Sequence, residues 1–254
     1  MSALLARVPR RTVLPAVAGI VLLVVAADAI GRLGLAGAAW PTVTDVVDYL
    51  TSPTAQTLLG RALAATGTAA AIGFVAGGLG ALALALLGAL LPAAGPGLDR
   101  LAAVVHAVPL IALAPLLVTT VGREGTSTVI AALAAGFAVF VAATSALAST
   151  ARAGRDVFAV LGASRLSTVL RLQLPAGLPT IVDGLTLAAP AAVLGAVIGE
   201  WFGARRGLGV LLVSAMQNVQ IPLLWSAALS AAALSLAAYV LLVALRGWVT
   251  RRFT

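Results

Sequence analysis

The segment DVFAVLGASRLSTVLRLQLPAGLP (residues 156–179) is polar and interrupted, although it lies between two long apolar stretches. Charged residues lie in or directly beside this segment, namely Arg155, Asp156, Arg165 and Arg171. Ser164 follows a Gly-Ala pair and is a residue type that caps helices, whereas Leu174 precedes a proline and is therefore biased away from helical geometry. The pattern predicts two short helices that are joined at residues 162–164 and that end at Leu174-Pro175.

Both predicted helices carry apolar side chains beside their charged ones. The apolar positions are Val157, Val160, Leu161, Leu166, Val169 and Leu170. A short amphipathic element of this kind either docks into a groove of another protein or lies on the lipid surface. Composition alone leaves both interpretations open.

The composition of the whole chain is that of a membrane protein. Of its 254 residues, 61% are hydrophobic and only 9% are charged, whereas soluble domains carry roughly 25% charged residues. The chain therefore has too few charged residues to cover a water-exposed globule, and an all-α polytopic membrane protein is expected. It has no cysteine, so disulfides and cysteine-ligated metals are excluded.

Six segments are long and apolar enough to cross a bilayer as helices. They are residues 13–31, 61–88, 98–121, 127–148, 179–200 and 223–245. We expect residues 1–12 to form a short N-terminal segment and residues 13–254 to form one transmembrane domain. The segment 39–57 is too polar to span, and we expect it to lie at the interface with Trp40 and Tyr49 at headgroup level.

The distribution of arginine predicts the orientation, because arginine and lysine are enriched in cytoplasmic loops. With six spans and an inner N-terminus, eleven arginines lie inside and five outside. The outer five are Arg32, Arg61, Arg123, Arg205 and Arg206. Both termini and the loop 152–175 are therefore predicted to be cytoplasmic, in a multi-pass protein of the plasma membrane. A cleaved signal peptide is the alternative for the N-terminus, but its apolar run is long and cleavage would remove a basic anchor.

Small residues recur every four positions in the second predicted span. They are Ala65, Ala69, Gly73, Gly77, Ala81, Ala85 and Ala89. Such a stripe allows close helix contacts in lipid, although alanine and glycine are abundant enough here to fall into register by chance.

The third predicted span contains a histidine and two prolines. Pro109 and Pro115 each remove a backbone donor and are expected to bend the helix. His106 lies one turn earlier, where an ionisable group is either functional or a neutral ring bonded to a carbonyl. No His, Asp or Glu cluster accompanies it in the sequence, so we predict no metal site.

Acidic residues are scarce in the spans. Asp28 and Asp183 are placed near membrane interfaces, and Glu200 opens GEWFGARRGLGVLL, where Arg205 and Arg206 are close enough in sequence to neutralise it. An ion-coupled carrier needs acids near the midplane, and none is clearly placed there. This pattern counts against ion-coupled transport.

The segment 156–175 resembles the EAA loop of bacterial ABC importer permeases. Asp156 stands at the position of the family's glutamate and Val-Phe replaces Ala-Ala, so that only the acid, Gly162 and Leu174-Pro175 are kept in kind. Further similarity to the sulfonate/nitrate/taurine-type permeases extends from about residue 40 to 252. It includes Pro109, Ala112 and Pro115-Leu116 in the third span, and Glu200 with Gly207-Leu208-Gly209 after the fifth; Thr186 departs from an arginine common in relatives.

The resemblance implies a type I ABC importer permease fold and a set of partners. Two permease copies would form the pathway, a pair of cytoplasmic ATPase subunits would bind ATP and Mg²⁺, and an extracytoplasmic binding protein would deliver a small solute. No nucleic acid partner is implied. The coupling loop would comprise Asp156, Ala159, Gly162, Ala163, Ser164, Leu174 and Pro175, and candidate pathway or gate residues are His106, Pro109, Pro115, Glu200, Gly207 and Gly209.

Two other classes remain open on the sequence, namely an ion-coupled transporter or channel, and a membrane anchor or assembly factor. Copurification separates the three, because only the importer permease would bring an ATPase subunit with it.

The purified chain alone is expected to have no ATPase activity. All sixteen basic residues are arginine, and a Walker A loop needs a lysine against the β- and γ-phosphates. The measurement is phosphate release by the reconstituted chain without other subunits. Hydrolysis above the level of empty vesicles would contradict this expectation.

Overall fold

A computed structural model describes residues 10–150 and 152–253, and these residues are almost entirely helical. The α-helices are α1 (Arg10–Arg32), α2 (Val43–Thr51), α3 (Pro53–Leu90), α4 (Gly95–Ala107), α5 (Leu110–Thr120), α6 (Gly122–Ala148), α7 (Arg152–Val160), α8 (Arg165–Thr168), α9 (Leu174–Glu200), α10 (Leu208–Gln217) and α11 (Ile221–Phe253). A π-helical turn, Val169–Gln173, joins α8 to α9. Residues 1–9 of the predicted N-terminal segment lie outside the described residues.

Helix α3 packs closely against α6 through the predicted stripe of small residues. A Cβ on Gly73 would lie 2.5 Å from the Cβ of Ala131, and a Cβ on Gly77 would overlap the carbonyl of Ala132. Close backbone approach of this kind is available only to small residues and drives helix association in lipid. The predicted packing seam is therefore confirmed for this part of α3.

Helix α9 packs against the other side of α6 in the same way. A Cβ on Gly177 would lie 3.0 Å from the Cβ of Ala146, and one on Gly199 would lie 2.5 Å from the Cα of Ser127. Helix α6 thus lies between α3 and α9, and its fully buried residues include Ile130.

The glycine contacts also fix the directions of the three helices. Positions along α3 and α6 increase together, so these helices are parallel, whereas α9 runs antiparallel to α6. The three helices therefore have two common ends. One end, the Arg165 face, contains residues 84–89, 144–148 and 165; the other, the Glu200 face, contains residues 61–68, 124–128 and 200–206.

The third predicted span is wrong as a single helix. Helices α4 and α5 meet at 94°, and the break lies at Pro109, which cannot donate a helical hydrogen bond. Pro115, by contrast, lies inside α5 without interrupting it. With 13 and 11 residues, the two helices are about 20 and 16 Å long, and each is shorter than the roughly 30 Å hydrocarbon core.

The directions of the neighbouring helices favour a broken span over a re-entrant loop for this pair. Because α3 and α6 are parallel, the chain must return from the Arg165 face, where α3 ends, to the Glu200 face, where α6 begins. A re-entrant loop that returned to its own face would not permit this arrangement. The described residues therefore contain six candidate crossings, of which five are long apolar helices and one is the broken pair.

The predicted helix end at Leu174-Pro175 is also wrong. The chain remains helical through both residues, because the N–H of Leu174 bonds to the carbonyl of Val169, five residues back. In a regular α-helix the ring of Pro175 would clash with a carbonyl of the preceding turn. The π-type bond changes the hydrogen-bond register directly before this proline. As a result the fifth span begins well before residue 179, and helical structure is continuous over the 36 residues Arg165–Glu200.

The segment 39–57 is divided rather than continuous. Thr42 caps α2 in a capping box with Asp45, and Ser52 separates α2 from Pro53 at the start of α3. The Trp40 ring packs edge-on against Trp225 at 4.6 Å and donates to the carbonyl of Ala27 at 2.9 Å. Trp40 thus joins the segment before α2 to α1 and α11.

Helix α10 is an element that the sequence analysis did not predict. Its 10 residues make it about 15 Å long, too short to cross a bilayer. Leu208 and Ala215 are buried in one cluster with Leu59, Leu223 and Ala227. Helix α10 is therefore held between the first part of α3 and the first part of α11.

The six-crossing arrangement predicts opposite accessibility for Ala93 and Val121. Because the chain has no cysteine, Ala93→Cys, Val121→Cys and Val160→Cys can each be labelled alone with a membrane-impermeant maleimide. We expect Ala93→Cys and Val160→Cys to react only from the cytoplasmic side, and Val121→Cys only from the outside. Labelling of Ala93→Cys and Val121→Cys from the same side would mean that α4 and α5 form a re-entrant loop.

Candidate functional site

Helix α7 ends in a Schellman motif at the glycine that the sequence analysis singled out. The N–H of Ala163 donates to the carbonyl of Phe158 at 2.9 Å, and the N–H of Gly162 donates to that of Ala159 at 3.0 Å. Gly162 has φ +67°, a left-handed conformation that favours glycine. A Cβ there would meet nothing within 4 Å, so glycine is favoured at this position by its backbone conformation and not by crowding.

The second half of the loop is fastened to the transmembrane helices. The Ser164 hydroxyl accepts from the N–H of Ser167 at 3.2 Å and caps α8, as predicted. The Arg165 side chain donates from Nε to the carbonyl of Ala89, near the end of α3, at 2.7 Å. Since α8 continues through the π turn into α9, the loop is joined directly to two of the three core helices.

The loop exposes apolar side chains on the Arg165 face. Val160 is 88% exposed and Leu161 is 76% exposed, and Val157 and Leu166 are exposed as well. Asp156 and Ala159 lie on the same exposed part of the loop, whereas Phe158 and Ala163 are half-buried. This is an apolar surface that is not covered by the rest of the chain.

A second candidate site surrounds Glu200 at the opposite end of α9. Its side chain is 2% exposed, and its Oε2 accepts from the Thr66 hydroxyl at 3.0 Å and from the N–H of Gly209 at 2.8 Å. The Thr66 oxygen in turn accepts from the N–H of Leu208 at 2.9 Å. Glu200 and Thr66 together satisfy two of the N–H groups that open α10, where a negative group is favourable.

At both glycines that the sequence analysis named beside Glu200, the surrounding atoms leave no room for a side chain. A Cβ on Gly207, which has φ +143°, would overlap the Glu200 carboxyl group. A Cβ on Gly209 would overlap the carbonyl of Val197. These glycines let the backbone at the start of α10 approach the end of α9.

The predicted neutralisation of Glu200 by Arg205 is wrong. Arg205 instead pairs with Glu124, with 3.8 Å between Nε and Oε1, and its backbone N–H donates to the same oxygen at 3.3 Å. The partners of Glu200 are a hydroxyl group and a backbone amide. Thr66 was missed, since one threonine in a long apolar helix gives no sequence signal of a partner 134 residues away.

His106, Pro109 and Pro115 do not belong to the Glu200 site. The exposed His106 ring stacks on Phe137, with centroids 3.6 Å apart and an angle of 4°. Along α6, Phe137 lies ten residues from Ser127, the residue that contacts Gly199, a separation of about 15 Å. The structure therefore separates the predicted gate residues into the α4–α5 break and the Glu200 cluster.

Residues 92–254 match the family model described as the binding-protein-dependent transport system inner membrane component. The chain belongs to this family. The matched region contains α4 to α11, and therefore the loop and Glu200, whereas Thr66 lies before it.

Similar curated proteins carry permease names. A probable ABC transporter permease protein of Haemophilus influenzae is 35% identical over 58% of this chain and 59% of the relative. A formylaminopyrimidine transport permease protein of Halalkalibacterium halodurans is 40% identical over 40% of this chain and 41% of its own length. A riboflavin transport system permease protein of Chloroflexus aurantiacus is 31% identical over 54% and 51%. The chain thus spans about two fifths to three fifths of the length of these relatives.

Among solved structures, a chain of the MetNI methionine ABC transporter in an inward-facing conformation has a similar fold. The TM-score is 0.65 with 17% identity, and the superposition covers 80% of this chain and all of the other. At this level of identity the likeness concerns the fold, which is that of a type I ABC importer permease.

Replacing Thr66 with valine is expected to destabilise the folded chain by about 1–3 kcal/mol, because the Leu208 N–H and a Glu200 oxygen would lose their buried partner. Thr68→Val is the matched control, since its exposed hydroxyl bonds only to the carbonyl of Ala64 in its own helix. The measurement is thermal unfolding of both variants in the same detergent. Equal melting temperatures would show that the Thr66 hydrogen bonds contribute nothing measurable.

Proposed function

We propose that this chain is the transmembrane permease subunit of an ATP-binding-cassette importer. The observation that carries the proposal is the exposed apolar loop on the Arg165 face, in a chain whose family consists of inner-membrane transport components. ATP and Mg²⁺ are bound by a separate ATPase subunit, because this chain has no lysine for a phosphate loop. The chain itself is a transport subunit and not an enzyme.

The loop 152–175 is the contact with the ATPase. Val160 and Leu161 present apolar surface that an interfacial groove would bury, and an amphipathic helix docks in such a groove through its apolar face. A position on the lipid surface would bury the same side chains, so the test must separate protein binding from lipid binding.

Movement of this loop is transmitted to the transmembrane core. The Arg165–Ala89 hydrogen bond joins the loop to α3, and the continuous helical stretch Arg165–Glu200 joins it to α9. When ATP draws two ATPase subunits together, the loops of two permease copies follow and carry the packed core of α3, α6 and α9 with them. The result is alternating access for a solute delivered by a binding protein outside the cell.

The Arg165 face is the cytoplasmic face and the Glu200 face is the outer face. The excess of arginine in the predicted inner loops supports this orientation. The partners are accordingly an ATPase pair inside, a second permease copy in the plasma membrane, and a binding protein outside.

The coupling role predicts that Val160→Asp and Leu161→Asp abolish uptake and release the ATPase from the permease. A few central contacts carry most of the energy of such an interface, on the order of 2 kcal/mol or more each. The control is Leu35→Asp, a 73% exposed leucine in the turn after α1, away from the loop. The measurement is copurification of a cytoplasmic ABC ATPase subunit with the permease, together with membrane content of the permease.

Two substitutions of Gly162 separate the effect of side-chain size on ATPase binding from the effect of backbone strain. Gly162→Ala places a Cβ in open space at φ +67° and strains the turn only, by about 1 kcal/mol. Gly162→Arg adds a long charged side chain to the same turn. Loss of the ATPase with arginine but not with alanine is expected, and retention of the ATPase and of uptake by every one of these variants would show that the loop is not the coupling element.

A further inference from the structure

A water-accessible cavity of 630 Å³ opens on the Glu200 face between α3, the start of α6 and the residues after α9. Its lining includes Arg61, Glu124, Arg205 and Arg206, with the edge of Glu200 on one wall. Along α3 the lining extends from Arg61 to Ile72, which corresponds to a depth of about 16 Å. The cavity therefore reaches from the Glu200 face well into the domain.

The positive charges of this face are concentrated at the cavity. Topology disfavours arginine in outer loops, and the loop assignment made from the sequence places only five of the sixteen arginines on this side. Arg61, Arg205 and Arg206 line the cavity, and Arg123 packs beside it against Gly203, with Cδ and Nε 3.5 Å from where a Cβ would lie. The fifth, Arg32, is paired with Asp28 elsewhere.

The guanidinium groups are only partly engaged by carboxylates. Arg205 is paired with Glu124 at 3.8 Å, and no ion pair in the described ranges holds Arg61 or Arg206. The carboxyl group of Glu200 is hydrogen-bonded to Thr66 and Gly209. Three guanidinium groups against two carboxylates leave the cavity positively charged, and both Arg61 and Arg206 are exposed to the water in it.

Arginine in a confined cavity selects for planar or tetrahedral oxyanions. Its fork of N–H donors matches a carboxylate or a phosphonate, and the low-dielectric walls focus its field on the cavity. A neutral solute of the same size gains neither interaction.

We propose that this cavity binds a small organic anion through Arg61, Arg206 and Arg205, and, resting on the proposed function, that this anion is part of the transported solute. The permease then has its own anion site at the outer mouth of the pathway, in addition to any selection by the binding protein.

The test is direct binding to the full chain in nanodiscs, measured by saturation-transfer NMR on methyl protons. The probes are methylphosphonate, acetate and acetamide at constant ionic strength, since acetate and acetamide differ mainly in charge. We expect methylphosphonate to bind more tightly than acetate, and acetamide to show no saturable binding.

Arg61→Gln and Arg206→Gln are each expected to weaken methylphosphonate binding by about tenfold, because each removes a hydrogen bond between charged groups. Arg61→Lys should restore part of the affinity, since it keeps the charge but not the fork. The matched control is Arg32→Gln, which removes an arginine from the same face but not from the cavity. All variants are compared for melting temperature, so that unfolding is recognised separately.

Two results would overturn the site. One is equal binding of acetate and acetamide; the other is unchanged methylphosphonate binding in Arg61→Gln and Arg206→Gln. If these variants keep methylphosphonate binding but lose capture of the binding protein, the arginines contact an acidic protein surface instead. Val160→Asp should keep the anion site while it loses the ATPase, so failure of the coupling loop and failure of the anion site are distinguishable.

Discussion

The close backbone contact of α6 with α3 and α9 is the constraint on which the remaining structure depends. Gly77 meets the carbonyl of Ala132 on one side of α6, and Gly199 meets Ser127 on the other. In lipid there is little hydrophobic gain when two apolar helices associate, so the contact relies on dispersion between tightly fitted backbones. Because these contacts fix parallel α3–α6 and antiparallel α6–α9 packing, they also favour a membrane crossing by the α4–α5 pair, although neither of its helices is long enough alone.

The sequence predicted those features that depend on local chemistry. The presence of five long apolar helices, the stripe that includes Gly73 and Gly77, and the Ser164 cap follow from hydropathy, side-chain size and hydrogen-bonding type, all of which are local. Gly162 was also identified from its position between the two predicted short helices, and the glycines beside Glu200 from the resemblance to known permeases. The physical reason for glycine differs between these positions. Gly162 lies in open space at positive φ, whereas a side chain at Gly209 would meet a backbone carbonyl.

Features that depend on distant parts of the chain were not predictable in this way. The hydrogen bond from Thr66 to Glu200 joins residues of two different helices. Arg205 pairs with Glu124 and not with Glu200 because of where α6 begins relative to the end of α9. The uninterrupted helix at Pro175 is a different case. A proline normally marks a helix boundary, and only the shift to an i−5 bond at Leu174 removes the conflict.

The uninterrupted helix gives the two candidate sites a common physical basis. Arg165 begins, and Glu200 ends, one helical stretch of 36 residues, about 54 Å long. A packed helix transmits displacement along its axis, and the π turn at Val169–Gln173 is the place where its hydrogen-bond pattern departs from α geometry, as is frequent at functional positions. Glu200 is hydrogen-bonded to the start of α10 and to α3. A displacement that enters at the loop must therefore either be absorbed at the π turn or move the wall of the cavity on the opposite face.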